Sequence, residues 1–460
     1  MNNSPASLVR DLRRIVGERS VVEQIPSAYL ADATESRGIT GHADALVLPR
    51  TSGDVKDTVA WCYRHDVPVV PRGGGTGFTA GAVPLGRGVV LSLERLREVR
   101  SFDPLLWRIN IEAGRTTAEV RSLARENGLL FPPDPGAAEQ SQIGGNVATN
   151  AGGPHAFKYG VTSHWVTGLE AVVAPGELIT VGGSYRKDVA GYDLKSLLVG
   201  SEGTLGVITS VWLRLMPTPP ASAVVAAFYE DVEAGCTAIE SVLGNGIPVA
   251  ALEFFDSRTL ELSGRAFPGE LPGGAFMVIA EVDGSPAEVE AEAGDLVDVL
   301  TEGCLALHAP TRTDEVAALW RWRDGVSIAV GAARGGKVSE DIVVPIDRLA
   351  EAIEGTIEIG RLHNLPACSW GHAGDGNVHS TFMIDRGSAK EAESAHEAAL
   401  ELFHLAVVLG GSISGEHGVG VAKSGQLANQ WSDGAITLHE GIKRVFDPKN
   451  LLNPGKKLAR

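Results

Sequence analysis

Pro71-Arg72-Gly73-Gly74-Gly75-Thr76-Gly77-Phe78-Thr79-Ala80-Gly81 closes an apolar run that begins at Val67 and reads as a strand. Within it, Gly75 to Ala80 matches the dinucleotide fingerprint G-x-G-x-x-A, in which a helix opens directly after the glycines and receives a pyrophosphate at its N-terminus. Here Gly81, Pro84, Gly86 and Gly88 come next, and no helix can start through them. The Rossmann reading fails. What survives is a run of amides without side chains, able to wrap an anion as a nest, with Arg72 as nearby charge. A flexible surface loop is the plain alternative.

Working outward, three more stretches of the first half share this character. Pro132-Pro133-Asp134-Pro135 breaks the chain, and Ser141-Gln142-Ile143-Gly144-Gly145-Asn146-Val147-Ala148-Thr149-Asn150-Ala151-Gly152-Gly153 then offers backbone between short hydroxyl and amide side chains. Lys158-Tyr159-Gly160 and Gly200-Ser201-Glu202-Gly203-Thr204-Leu205-Gly206 add a third and a fourth. Four such loops between predicted elements point to a long ligand held mostly by main-chain contacts. Around them runs a strand-then-helix rhythm. Strands are predicted at Ala45 to Pro49, Val67 to Pro71, Val89 to Leu93 and Arg108 to Ala113, with helices from Thr51/Ser52 to about His65 and from Thr117 to Asn127. Met216-Pro217-Thr218-Pro219-Pro220 is the clearest linker.

Beyond the linker the texture changes. Strand-like runs (Ala250 to Phe255, Ala275 to Val282, Val338 to Pro345) alternate with long helices, Pro286 to Thr301 and Asp314 to Ala333, which predicts an antiparallel sheet covered by helices. Gly371-His372-Ala373-Gly374-Asp375-Gly376-Asn377-Val378-His379 lies between two such runs, Leu365 to Trp370 and Ser380 to Ile384. His372 and His379 should then face each other across a hairpin mouth. Ser414-Gly415-Glu416-His417-Gly418, after a helix ending near Leu409, could bring Glu416 to them. Two imidazoles and a carboxylate with open positions make a metal site of the catalytic kind, and His417 beside it is placed for proton transfer. A lone histidine in a glycine-rich loop is more often a turn residue; the constellation reverses that preference. His155, His164, His363, His404 and His439 fall outside it and read as structural or surface residues. The tail from Gly434 reads as a helix running into Asp447-Pro448 and Leu452-Asn453-Pro454-Gly455-Lys456.

At 460 residues the chain has room for two or three domains with their own cores. A hydrophobic content of 44% with 21% charged residues is that of an ordinary globular protein. The net charge of -17 speaks against a nucleic-acid partner, whose phosphates need a basic surface. An anionic substrate would need local cations against that field. Cys62, Cys236, Cys304 and Cys368 are scattered, which suits reduced thiols better than disulfides or a zinc knot. Met1 to Val22 lacks a signal-peptide core and no stretch has the length of a transmembrane helix. A cytoplasmic protein is expected, with peripheral membrane association and homo-oligomerisation left open.

Taken together, Arg72 to Gly77, Gly144 to Gly153 and Gly200 to Gly206 resemble the FAD-binding signatures of the vanillyl-alcohol-oxidase (PCMH-type) flavoproteins. Arg186-Lys187-Asp188-Val189-Ala190-Gly191-Tyr192-Asp193, Gly371 to His379 and Ser414 to Gly420 resemble the branch of D-lactate dehydrogenase, the FAD subunit of glycolate oxidase and D-2-hydroxyglutarate dehydrogenase. The resemblance covers nearly the whole chain. It implies an α+β architecture: an N-terminal helical segment (1–40), a two-part α/β FAD-binding domain (41–217), an antiparallel-sheet-and-helix substrate domain carrying the metal site (221–423), and a C-terminal helical return to the FAD domain (424–460).

The resemblance further implies FAD with its pyrophosphate on the Arg72 loop and its ring at the domain boundary. The implied contacts are Arg72, Gly73, Gly74, Gly75, Thr76, Gly77, Gly81, Pro135, Ser141, Gly144, Gly145, Asn146, Thr149, Asn150, Gly152, Gly153, Glu202, Gly203, Val207, Ile208 and Asn453. Some relatives attach the flavin through a histidine of the first loop. Gly73 to Ala82 holds none, so non-covalent FAD is expected.

The implied reaction oxidises a D-2-hydroxy acid to the 2-keto acid. His372, His379 and Glu416 would hold a divalent metal, zinc being sufficient and Mn2+ or Fe2+ also admitted, and His417 would take the hydroxyl proton. Arg323, on a helix face shared with Trp320 and Ser327, is the candidate partner for the small anionic substrate's carboxylate, with Lys337 a second cation and Asn377 a further contact. Lys337 and Ser327 follow the 2-hydroxyglutarate enzymes imperfectly, which leaves the hydroxy acid undefined. The electron acceptor (a quinone, a cytochrome or an electron-transfer flavoprotein) is not legible. Two other functions share the flavin domain: group transfer of the alkyl-dihydroxyacetonephosphate synthase type, and a non-catalytic FAD electron-transfer subunit.

Overall fold

Apolar runs ending in turn residues become the strands of the computed structural model, which describes residues 5–458. The chain divides into two units. Unit 1 comprises Met1–Gly152, Gly160–Thr218 and Glu416–Arg460; unit 2 comprises Gly153–Tyr159 and Pro219–Gly415.

Unit 1 opens with β1 (Val21–Val22), β2 (Ala45–Val47), β3 (Val69–Arg72) and β4 (Val89–Ser92), ordered β1-β2-β4-β3. The β4 strand pairs in parallel with β2 and β3. The helix Ser52–Arg64 makes the crossover, started by a capping box between Thr51 and Asp54. Its Val55, Val59 and Cys62 pack on Val47, Val69, Val89 and Leu91, with Leu8, Leu12 and Val16 of the helix Pro5–Val16 in the same core. No helix follows the glycine loop between β3 and β4.

The strand-then-helix rhythm then gives way. The strands β5 (Val99–Asp103), β6 (Arg108–Glu112), β7 (Leu129–Leu130), β8 (Val166–Val173), β9 (Glu177–Gly182), β10 (Val207–Arg214) and β11 (Met216–Pro217) complete the unit. An antiparallel sheet takes the order β5-β6-β10-β8-β9, and β7 pairs with β11. The first two residues of the expected linker are therefore a strand.

The C-terminal stretch of unit 1 is fixed by buried charge. Glu202 is buried with φ +54, and its two oxygens accept the amides of Val419 (2.8 Å) and Gly420 (2.7 Å). Asn453 donates to the carbonyls of Gly81 (2.9 Å) and Glu202 (2.7 Å) while accepting from Lys456 (2.7 Å). Lys443, on the helix Asp433–Phe446, donates to Thr204, Leu452 and Asp447. Each bond satisfies a group that has lost its water, which makes the set costly to disrupt.

Unit 2 is built on β12 (Ala221–Tyr229), β13 (Ala251–Phe255), β14 (Phe276–Gly284), β15 (Ala306–His308), β16 (Gly335–Val343), β17 (Ala367–His372) and β18 (Asn377–Asp385). They form one antiparallel sheet, ordered β15-β12-β14-β13-β17-β18-β16. The helix Thr313–Arg334 lies on one face, its Leu319, Trp322 and Val326 in a core with Phe255, Met277, Trp370 and Met383. Helices Val232–Gly244 and Leu349–Leu362 cover the other, where Gly235 meets Phe276 and Thr356 bonds Ser380 at 2.8 Å. Among the described residues, no helix is long and apolar enough to cross a membrane.

The Glu202 clamp is open to test. Glu202→Gln keeps the shape but loses the charge and turns an NH2 group toward a backbone amide. It is expected to lower stability by about 3 kcal/mol, the scale of charge-assisted hydrogen bonds, as a lower denaturant midpoint. An unchanged midpoint would remove Glu202 from this role.

Candidate functional site

In an antiparallel ladder, directly opposed residues point to the same face. The pairs Glu253↔His372 and Phe255↔Trp370 join β13 to β17, and Trp370↔His379 and Cys368↔Thr381 join β17 to β18. Asp341↔His379 and Lys337↔Met383 carry the same face on to β16. Register alone thus puts Glu253, His372, His379, Asp341 and Lys337 on one surface, the one under the helix Thr313–Arg334. The hairpin between the histidines depends on glycine: at Gly376 (φ +72) a Cβ would meet the Val344 carbonyl at 2.0 Å.

Both histidines are buried, with ring centroids 5.3 Å apart and planes at 82°, as the sequence predicts for a hairpin mouth. Gly415 is tied to the neighbouring strand, its amide donating to Asp341 Oδ2 at 2.9 Å. Glu416 is the next residue in the chain. The ligand atoms of His372, His379 and Glu416 lie within 4.8 Å of one another, the grouping with metal-holding potential among the described residues. Two imidazoles and one carboxylate fit a divalent ion that keeps positions open for exogenous ligands.

Glu253 is the residue that motif reading missed. It has no exposed surface; Oε1 lies 2.5 Å from His372 Nδ1, and Oε2 is 2.7 Å from Arg323 Nε and 2.6 Å from Nη2. Burial pushes its pKa up, but Arg323 and His372 outweigh burial and hold the carboxyl at about 2. An ionised acceptor on Nδ1 places the His372 proton there and turns the Nε2 lone pair outward. One signal existed: a single carboxylate centred in the otherwise apolar run Ala251-Leu252-Glu253-Phe254-Phe255.

The other expected residues of unit 2 have defined places. Lys337 Nζ donates to the Ser327 carbonyl (2.8 Å) and Oγ (2.5 Å) and sits 5.1 Å over the Trp370 ring. Burial pushes this amine down to about 8. Asn377 Nδ2 donates to the Ile342 carbonyl at 3.0 Å, packing against Gly415. His155 is a structural residue: it lies 3.5 Å from Glu281 and packs at a tilt against Trp320, with ring centroids 5.4 Å apart, one helical turn before Arg323. Lys158 and Tyr159 are not an open ligand loop. They end the helix Ala156–Tyr159, and both bond Asp283, at 2.5 and 2.6 Å.

In unit 1 the loops separate into amides and supports. Arg72 is buried, its guanidinium donating to the carbonyls of Ala31 (2.8 Å) and Ala28 (2.5 Å). Gly75 (φ +69) lies over it, where a Cβ would fall 2.0 Å from Nη2. The guanidinium thus props up the loop from behind. Asn146 bonds Thr117, which also bonds Ser141; Thr149 bonds the Gly145 carbonyl; Asn150 accepts the Ser163 amide. Gly144 packs against Ala113, and Gly203 (φ +73) against Pro71. Val207 and Ile208 are buried in β10. Gly73 and Gly145 meet backbone to backbone, a Cβ on the former lying 3.3 Å from the latter's Cα and 3.6 Å from Gln142.

Beside these glycines, the buried Gln142 Oε1 and Ser201 Oγ have no hydrogen-bond partner among the described residues. Such atoms suit a polar ligand that accepts and donates along its length. The buried cradle fits an extended cofactor. His417 packs on Phe78 of the same loop, with centroids 4.6 Å apart, and its carbonyl accepts from Thr79 at 3.3 Å.

Comparison with known proteins agrees with both units. A family model described as the FAD binding domain matches residues 43–182, and one described as FAD linked oxidases, C-terminal domain, matches residues 218–457. The chain is 35% identical over 419 residues to glycolate oxidase subunit GlcD of Bacillus subtilis (strain 168), covering 91% of this chain and 89% of that one. To the D-lactate dehydrogenase of Archaeoglobus fulgidus it is 37% identical over 444 residues, covering 95% and 97%. Among solved structures, p-cresol methylhydroxylase with substrate bound shares the fold, with a TM-score of 0.83 over 100% of this chain and 98% of that one at 18% identity.

The Lys337 environment predicts a pH signature. A base whose folded-state pKa falls from 10.5 to about 8 binds fewer protons folded than unfolded between those values, so stability rises with pH through that window. Relative to Lys337→Met, the parent protein should gain about 2 kcal/mol between pH 8 and 10. Parallel stability curves for the two proteins would contradict the buried, destabilised ammonium.

Proposed function

The chain belongs to the FAD-linked oxidases, and from that premise we propose that it is an FAD-dependent dehydrogenase oxidising a D-2-hydroxy acid to the 2-keto acid with the help of a divalent metal. The observation that carries this reading is the donor set His372, His379 and Glu416, with the buried Glu253 carboxylate behind His372. A carboxylate-backed imidazole is what a metal ligand requires, whereas a turn histidine needs no such support. A non-catalytic flavin subunit, or a group-transfer enzyme, has no evident use for that set.

The division of labour follows from the residues. The glycine amides of residues 73–77 and the neighbouring 141–153 segment would hold FAD non-covalently. Arg72, Glu202 and Asn453 act behind them, through the backbone they fix. His372, His379 and Glu416 would hold the metal, for which zinc suits the mixed nitrogen and oxygen donors. When bound, FAD supplies the two-electron oxidant and the metal the Lewis acid that lowers a hydroxyl pKa.

The chain's own part is to place the substrate and move one proton. Arg323, which is paired with Glu253, and Lys337 are the two cations on the face of the sheet that carries the histidines, in a chain of net charge -17. These two groups would meet and orient a small carboxylate. His417, adjacent to Glu416 in the chain, would take the hydroxyl proton. Lactate, glycolate and 2-hydroxyglutarate all satisfy this chemistry.

Anaerobic titration with D-lactate, glycolate and D-2-hydroxyglutarate tests the reading. One D-acid should bleach the flavin band, and removing the metal should abolish that bleaching. In His417→Gln, which keeps its flavin, the reduction rate should fall by about 100-fold to 10,000-fold, the range of general-base catalysis. Metal-loaded protein whose flavin no hydroxy acid reduces would sink the dehydrogenase and favour group transfer or electron relay.

A further inference from the structure

At Glu253 a metal-type ligand and a substrate-type cation share a partner. It is directly cross-strand from His372, fully buried, and divided between them: Oε1 on His372 Nδ1 and Oε2 on the Arg323 guanidinium. We propose that Glu253 is the positioning residue of the metal centre, fixing the tautomer and ring orientation of His372 and, through its second oxygen, the stance of Arg323. The inference rests on reading His372, His379 and Glu416 as metal ligands.

The physical case is one of degeneracy. An imidazole can present either nitrogen, and a half-turn of the ring exchanges a nitrogen for a carbon at nearly constant shape. His372 sits at the mouth of a hairpin, with the His379 ring edge-on at 5.3 Å. Ring packing alone does not choose between its nitrogens. A carboxylate that accepts only, placed 2.5 Å from Nδ1, does choose: the proton stays on Nδ1 and Nε2 keeps its lone pair for the metal.

Arg323 makes that carboxylate reliable. Its Nε and Nη2 both bond Oε2, which leaves Oε1 for the histidine and holds the carboxylate plane in place; Nη2 also lies 3.4 Å from Nδ1, too long to compete with the 2.5 Å carboxylate contact. Glu253 and Arg323 are thus a single support. A mutation at Glu253 should be felt at the metal even though the residue touches no ligand position of the ion.

Zinc uptake by the purified flavoprotein, stripped of metal and measured by chelator competition, tests this. The parent protein should bind one zinc, and Glu253→Gln should weaken binding about 10- to 100-fold, as loss of a carboxylate behind a ligating histidine does. The double variant Glu253→Gln/Arg323→Gln also removes the buried guanidinium whose main ion pair the single variant takes away. It should therefore recover melting temperature but not zinc affinity, which separates positioning from mere stability. Either variant binding zinc as tightly as the parent overturns the proposal. A parent protein that binds no zinc overturns the metal reading itself, and this inference with it. Should Glu253→Gln fail to fold, 15N-histidine NMR of the parent decides: zinc should shift His372 Nε2 while Nδ1 stays protonated, and ligation through Nδ1 overturns the proposal.

Discussion

A carboxylate with no exposed surface cannot be left alone, and much of unit 2 answers to that requirement at Glu253. Removing an ion from water costs several kcal/mol even after the protein relaxes, so a buried glutamate persists only where donors converge on both oxygens. Arg323 must therefore arrive from the helix Thr313–Arg334, and His372 from the adjacent strand. This double demand fixes the rotation of that helix, because Arg323 can reach Oε2 only if the same face is turned to the sheet. Trp322, Val326 and Leu319 pack on Phe255, Trp370 and Met383 from that same side of the helix. The apolar stripe and the ion pair thus demand the same rotation of the helix.

Unit 1 solves a related problem with glycine. Its loops bring backbone so close to backbone that a single Cβ would collide, as at Gly74 against the Gln140 carbonyl (2.1 Å) and Gly420 against that of Thr79 (2.0 Å). Chain packed this closely carries buried polar groups, and the charged side chains of the C-terminal stretch are distributed to meet them. Glu202 takes amides; Lys443 and Lys456 take carbonyls. Burial pushes the Lys456 amine down to about 7 against the pull of Asp32 and Glu202. The residues that a motif singles out as ligand contacts are thus often those that hold the contacting amides in place. Arg72 is the clearest instance, since its guanidinium is spent on Ala28 and Ala31.

Local periodicity and punctuation made most elements legible. Thr51 and Asp54 announce the helix Ser52–Arg64, and Pro286 to Thr301 is predicted to the residue because Ser285 caps it and Pro286 fits its first turn. The failure of the Rossmann reading was equally local, four helix-breaking residues after Ala80 being enough. Where the fold departs from expectation, the cause is long-range. The antiparallel order β5-β6-β10-β8-β9 joins strands distant in the chain, and Met216-Pro217 becomes a strand only because Leu129-Leu130 lies beside it.

The types of group available are legible in the chain alone: glycine runs that leave amides bare, two histidines and a glutamate in turns, an arginine and a serine four residues apart on a helix. Those follow from covalent spacing, which the chain carries wherever it goes. Which partner each group bonds is settled by packing and register in three dimensions. Glu253 is unremarkable in sequence and central in space, because the β13–β17 register sets it across from His372 while a helix 70 residues away supplies Arg323. His155 joins Glu281 and Trp320 by the same kind of long-range placement. Hydrogen bonds and ion pairs between distant segments depend on register and packing, and a single sequence encodes these only through the whole fold.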